Sequence, residues 1–223
     1  MAVPQCDVPE KPVTAMSDPA PSSDYKSAAI ETIKQEHRAL SQVVELLRHL
    51  LRDIAARYTD PDFHLLALAL YYIDEFPGRV HHAKEDKYVF AALQRHTEQF
   101  DLLLSRLDSE HGRDRETISD LHRLLVLYHA GAPDALENFR AAVEEYAATL
   151  YDHMRSEEGL LAASGDHLTD AEWQAIAEAF ARDKDPLFGT ERRREFAVLH
   201  HRIVNLLPRK MRMEFVDEES KGR

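Results

Sequence analysis

Cysteine is nearly absent. Cys6 stands alone, so no disulfide can form within the chain, and a reducing compartment, the cytoplasm, is the expectation. Positive charge is in short supply: Lys+Arg 28 against Asp+Glu 40 leaves a formal net charge of -12. A chain of that sign lacks the basic footprint that phosphate recognition needs, so neither nucleic acid nor an anionic membrane surface is an expected partner. The short basic runs Arg192-Arg193-Arg194 and Arg209-Lys210-Met211-Arg212 read as solvated helix faces. Long apolar runs are missing as well. The longest, Leu65 to Ile73, is too short to cross a bilayer. Near the N-terminus Pro4, Asp7, Pro9, Glu10 and Lys11 break any apolar stretch, so no secretory leader is expected. Glycine is sparse (Gly 7) and β-branched runs are rare, which removes the usual signs of sheet.

What remains is rich in Ala, Leu, Glu, Arg and Gln, the good helix formers, and the expected class is all-α. Residues 1–23 carry Pro4, Pro9, Pro12, Pro19 and Pro21 and little that packs; they read as a disordered tail. From the Ser22-Ser23-Asp24 cap cluster onward, apolar residues recur every three or four positions. The first helix presents Ile30, Ile33, His37, Leu40, Val44, Leu47 and Leu51. The turn Tyr58–Asp62 follows, with Asp60 as candidate cap and Pro61 at the first helical position. A second helix runs from about Asp62 to about Arg95, with a kink expected at Pro77-Gly78. The third starts near Glu98 or Asp101 and presents Leu104, Leu107, His111, Ile118, Leu121 and Leu125. Ala130–Asp134 ends it. The fourth presents Leu136, Phe139, Val143, Tyr146, Leu150, His153, Glu157 and Leu160. These four form an antiparallel up-down four-helix bundle over residues 24–163. Two further helices are expected in a C-terminal extension, 164–223: one after Leu168–Glu172, one from Thr190 to Leu207.

The residues that interrupt the stripes carry the functional signal. A lone buried histidine is usually a hydrogen-bonded core residue. A buried carboxylate is harder to dismiss, because unpaired it costs several kcal/mol, roughly. His81 and Glu85 are four apart on one face of the second helix, and His153 and Glu157 repeat that relation on the fourth. Glu36-His37 precedes the first pair by 44 positions and Glu110-His111 precedes the second by 42, so two related helical hairpins carry one polar pattern. At a rise of about 1.5 Å per residue, His37, His81, Glu85, His111, His153 and Glu157 fall in one layer across an antiparallel bundle. Independent core histidines have no reason to coincide in this way.

Four imidazoles and two carboxylates exceed the needs of one tetrahedral zinc and suit two ions, with the carboxylates bridging. Mixed nitrogen and oxygen donors fit iron or manganese. The Glu-x-x-His pattern of ferritin-like bundles is reversed here, and the His-Glu-x-x-His of zinc proteases is absent.

Together Glu36-His37, His81-His82-Ala83-Lys84-Glu85-Asp86, Glu110-His111 and His153-Met154-Arg155-Ser156-Glu157-Glu158 resemble the hemerythrin-like family of HHE cation-binding domains, over about residues 25 to 162. The resemblance implies an antiparallel bundle with two non-heme iron ions, manganese or zinc being the alternatives. It assigns the ligand roles to His81 and Glu85 rather than to His82 and Asp86, which become supporting partners. Oxygen carriers of the family show His-x-x-x-His on the third helix; here Arg115 stands four after His111. That departure speaks against reversible oxygen carriage. The expected function is a di-iron protein that binds or responds to oxygen, nitric oxide or peroxide, or handles iron. The alternatives are a di-iron enzyme (peroxide or nitric oxide reduction, iron-cluster repair) and a helical scaffold with a structural or empty site. Tyr88, one turn beyond Glu85, is a candidate hydrogen-bond donor to the site or a packing residue.

Overall fold

The computed structural model describes residues 22–182, 184–187 and 196–206, with side chains from 25 onward except at 204 and 206. The tail at 1–21, the stretch 190–195 and the basic run at 209–212 lie outside the described residues. Among the described residues the fold is all helical, with six helices. They are α1 (Ser22–Ala55), α2 (63–96), α3 (Asp101–His129), α4 (Ala135–Ala163), α5 (Asp170–Arg182) and α6 (Ala197–Leu206).

The ends are set by local chemistry. Asp62, not Asp60, caps α2, its side chain accepting from the Leu65 N–H at 3.0 Å. Pro61 therefore precedes the cap, and the acid that reaches the free N–H groups is the one next to the first turn. Gly131 closes α3 at φ 72, a left-handed conformation that suits glycine. The Ala132 and Gly131 N–H groups there bond back to Leu127 and Tyr128. Thr169 and Glu172 form a reciprocal capping box at the start of α5, at 3.0 and 3.3 Å.

α2 is not a uniform helix. Around Pro77 the chain bonds i to i+5, with the His81 N–H reaching the Phe76 carbonyl at 3.0 Å. A second widened stretch covers Glu85–Phe90. A widened turn absorbs the missing proline N–H without ending the helix. It also reduces the rotation per residue, so adjacent side chains can share a face. His81, His82, Lys84 and Glu85 are all buried.

Cross-helix pairs show how α1 to α4 run. On α1 and α4, Glu45 meets Tyr151 and Arg48 meets Glu144. On α3 and α4, Arg106 meets Ser156 and His111 meets His153. On α2 and α3, Phe63 meets Tyr128 and Asp86 meets His111. In each pair one number rises as the other falls.

Two apolar clusters form. One gathers Leu40, Val44, Leu47, Leu70, Ile73, Ile118, Phe139, Val143 and Leu150, and takes Phe196, Leu199 and Ile203 at α6. The other gathers Ile33, Phe90, Leu93, Leu104, Leu107 and Leu160, and takes Trp173, Ile176 and Phe180 of α5. Between them, on each of α1 to α4, lies the polar layer. α5 packs mainly along α1. Tyr88 packs at the edge of the second cluster.

Candidate metal centre

All six residues singled out from the sequence are buried and meet in that layer. His37 and His81 bring their Nε2 atoms to 3.1 Å, and His111 and His153 bring theirs to 3.0 Å. The two imidazole pairs are joined by the two carboxylates. Glu157 places Oε1 at 3.1 and 3.0 Å from His111 and His153 Nε2, and Oε2 at 3.3 Å from His37 Nε2. Glu85 places Oε1 at 3.3 Å from His81 and 3.7 Å from His37, and Oε2 at 3.8 Å from His111. Each carboxylate thus offers one oxygen to each pair.

The far side of every ring is braced. His81 Nδ1 donates to Glu36 at 2.6 Å, His111 Nδ1 to Asp86 at 2.7 Å, His153 Nδ1 to Glu110 at 2.8 Å and His37 Nδ1 to Glu158 at 3.3 Å. The braces form a closed circuit. α1 holds the histidine of α2, α2 that of α3, α3 that of α4, and α4 that of α1. A carboxylate on Nδ1 fixes the tautomer and leaves the Nε2 lone pair facing inward, as in metal-bound histidines. Glu36 is itself held by Lys84 Nζ at 3.1 Å, and that ammonium lies 4.4 Å from the Phe180 ring centre on α5.

Sequence reasoning placed Asp86 as a supporting partner and the structure gives that acid to His111. The roles of Glu36, Glu110 and Glu158 went unread, although each adjoins a candidate donor. The brace crosses to the next helix, so a residue's chain neighbour does not reveal its partner. Arg115 is exposed and takes no part in the layer.

The layer is electrostatically overloaded. Burial drags the His37, His81, His111 and His153 imidazoles down, but the surrounding carboxylates outweigh it. His81 is raised to about 9 and His111 to about 10, and His37 stands well above its ordinary value. Burial and the Glu157 charge push Glu85 up, yet His81 and His37 bring it down to about 2. Without a metal, protons on the imidazoles supply the positive charge that the buried carboxylates need. Even so, Glu85 Oε2 and Glu157 Oε2 lack a well-oriented hydrogen-bond donor. Inward lone pairs, under-satisfied bridging oxygens and donor atoms of His37, His81, Glu85 and Glu157 within 4.8 Å of one another fit a metal cluster.

An all-helical fold with this buried His/Glu layer defines a class of cation-binding helical proteins. Residues 28–163 match the sequence profile described as Hemerythrin HHE cation binding domain. The chain belongs to the hemerythrin HHE family. Comparison with curated proteins finds no match.

Proposed function

We propose that this chain is a di-iron protein of the hemerythrin-like type, with His37, His81, Glu85, His111, His153 and Glu157 as the ligands. One observation supports this above the rest: Glu85 and Glu157 each span both imidazole pairs, the arrangement that two bridging carboxylates require. His37 and His81 would hold one ion and His111 and His153 the other. Bound iron would supply redox chemistry and open coordination positions for a small diatomic molecule or peroxide. The chain's own residues orient the donors through the acid circuit and exclude bulk water with the two apolar clusters. In this reading residues 24–163 form an antiparallel up-down four-helix bundle, 1–23 a tail and 164–223 a helical extension. No described helix is long and apolar enough to cross a membrane, and with a single cysteine we place the protein in the cytoplasm.

The exposed Arg115 leaves α3 with one imidazole in the layer. This favours a protein that senses or processes its ligand over a reversible oxygen carrier, and a reductase acting on peroxide or nitric oxide is the second reading. Metal analysis after anaerobic iron loading, with spectra before and after oxygen and azide, tests the first. Two irons per chain and a ligand-dependent band are expected; fewer than one iron and no band would sink it. Sustained turnover with peroxide separates the second reading from a stoichiometric response.

A further inference from the structure

We propose that His82, Asp114 and Tyr146 form a site for a further divalent transition-metal ion, beside the polar layer and separate from it. None of the three is among the six ligands proposed above, and the site stands whatever the layer holds. The residues come from three helices: His82 from α2, Asp114 from α3 and Tyr146 from α4. His82 is 5% exposed and Tyr146 4%. Among the described residues, His82 Nδ1, Asp114 Oδ2 and the Tyr146 hydroxyl oxygen are buried with no hydrogen-bond partner. Buried unsatisfied polar atoms are uncommon in folded proteins and call for a physical reason. Three that gather around one carboxylate call for a shared one.

His82 Nδ1 stands 3.8 Å from Asp114 Oδ2. That is too long for a hydrogen bond. It is the spacing of two donors that share an ion, since ligand atoms at about 2.0–2.2 Å from a metal such as zinc stand about 3–4 Å apart. The Tyr146 hydroxyl faces the same carboxylate and adds a second oxygen. The Asp114 side chain is 14% exposed, so water can complete the coordination. One imidazole nitrogen with two oxygens suits zinc, iron(II) or manganese. Burial pushes the Asp114 carboxyl up to about 6 even though His153 and His111 draw it down. Such a carboxylate is short of positive charge, which an ion would supply.

The ring is held away from the layer's own ions. His82 stacks on His111 with centres 4.1 Å apart and planes 11° from parallel, so the two do not aim at one point. They also turn Nδ1 to different acids, His111 to Asp86 and His82 to Asp114. Asp114 lies three residues beyond His111, about one helical turn along α3. The layer histidines keep Nδ1 for their acids and point Nε2 inward, whereas His82 would bind through Nδ1. That reversal is the signature of the site.

The test titrates full-length protein with Zn(II). Wild type should bind one ion more than Asp114→Leu: three against two if the layer holds two, one against none if it holds none. Tyr146→Phe keeps the ring and should weaken the extra ion at least about tenfold. Imidazole nitrogen and proton NMR of loaded wild type reads the site without a variant, and it decides the matter if Asp114→Leu does not fold. The four layer histidines should keep their Nδ1 N–H signals, while His82 should be bound at Nδ1 with its proton on Nε2. Equal zinc counts in wild type and folded Asp114→Leu, or an Nδ1 N–H signal from His82 in loaded wild type, would overturn the inference and leave the di-iron reading standing. A wild type that binds a single ion, lost in Asp114→Leu, would count against the layer and not against this site.

Discussion

His81 and His153 hold equivalent places in two related hairpins, yet their surroundings differ. Each opens a His-x-x-x-Glu pair, and each is braced at Nδ1 by the acid of a Glu-His dipeptide on the preceding helix. The brace of His81, Glu36, has a side chain 4% exposed, and it is backed by Lys84 and the Phe180 ring. The brace of His153, Glu110, is 22% exposed, and the nearest cation is Arg106 at 3.8 Å. The same motif therefore works once in a sealed, low-dielectric setting and once beside solvent. The cause is α5, which covers the α1 side of the layer and, among the described residues, has no counterpart over α3. A charge pair walled off from water interacts far more strongly than one that water can screen.

The largest expected effect removes what the two hairpins share. On the proposed di-iron reading, Glu157→Ala should cut iron content from two per chain to below one, because its two oxygens face both pairs; metal analysis of the loaded variant checks this. Next comes the contrast itself. Glu36→Gln deprives Lys84 of a buried carboxylate and should destabilise the protein by about 3–5 kcal/mol. Glu110→Gln should cost about 1 kcal/mol or less. Denaturant unfolding of the two metal-free variants measures the difference, and equal losses would refute the sealed-versus-open distinction.

Phe180→Ala should make the hairpins more alike. Loss of the ring destabilises by about 3 kcal/mol and opens a path for water to Lys84 and Glu36. In the loaded protein the His81 N–H signal should then exchange with solvent faster, while that of His153 stays unchanged. The metal-free form also responds to pH. His81 and His111 have folded values of about 9 and about 10, above the ordinary 6.5. Their contribution to stability is complete below about pH 6.5 and is lost as pH rises through the folded values. Melting temperature of the metal-free protein should fall between about pH 7 and 10, and iron loading, which displaces those protons, should flatten the curve.

Much of this was legible beforehand for a simple reason. A helix writes its buried face into the chain every three or four residues, so His37, His111, His153 and Glu157 stood out where a leucine was due. The acid circuit did not stand out, because Glu36 and Glu110 serve the histidine of the next helix. His82 was read only as a supporting partner, because regular helical spacing points it away from His81. The widened turn before it follows from how Pro77 is accommodated within the packed helix, and a kink was all that the proline signalled.

From residue order alone come the helices, their apolar stripes and the six donors in one layer, since these depend on periodicity and on where polar groups break it. Tertiary packing alone decided which acid braces which imidazole, that α5 seals one hairpin and not the other, and that His82 turns inward. Those outcomes depend on distances between segments far apart in the chain and on access of water, which no local pattern encodes.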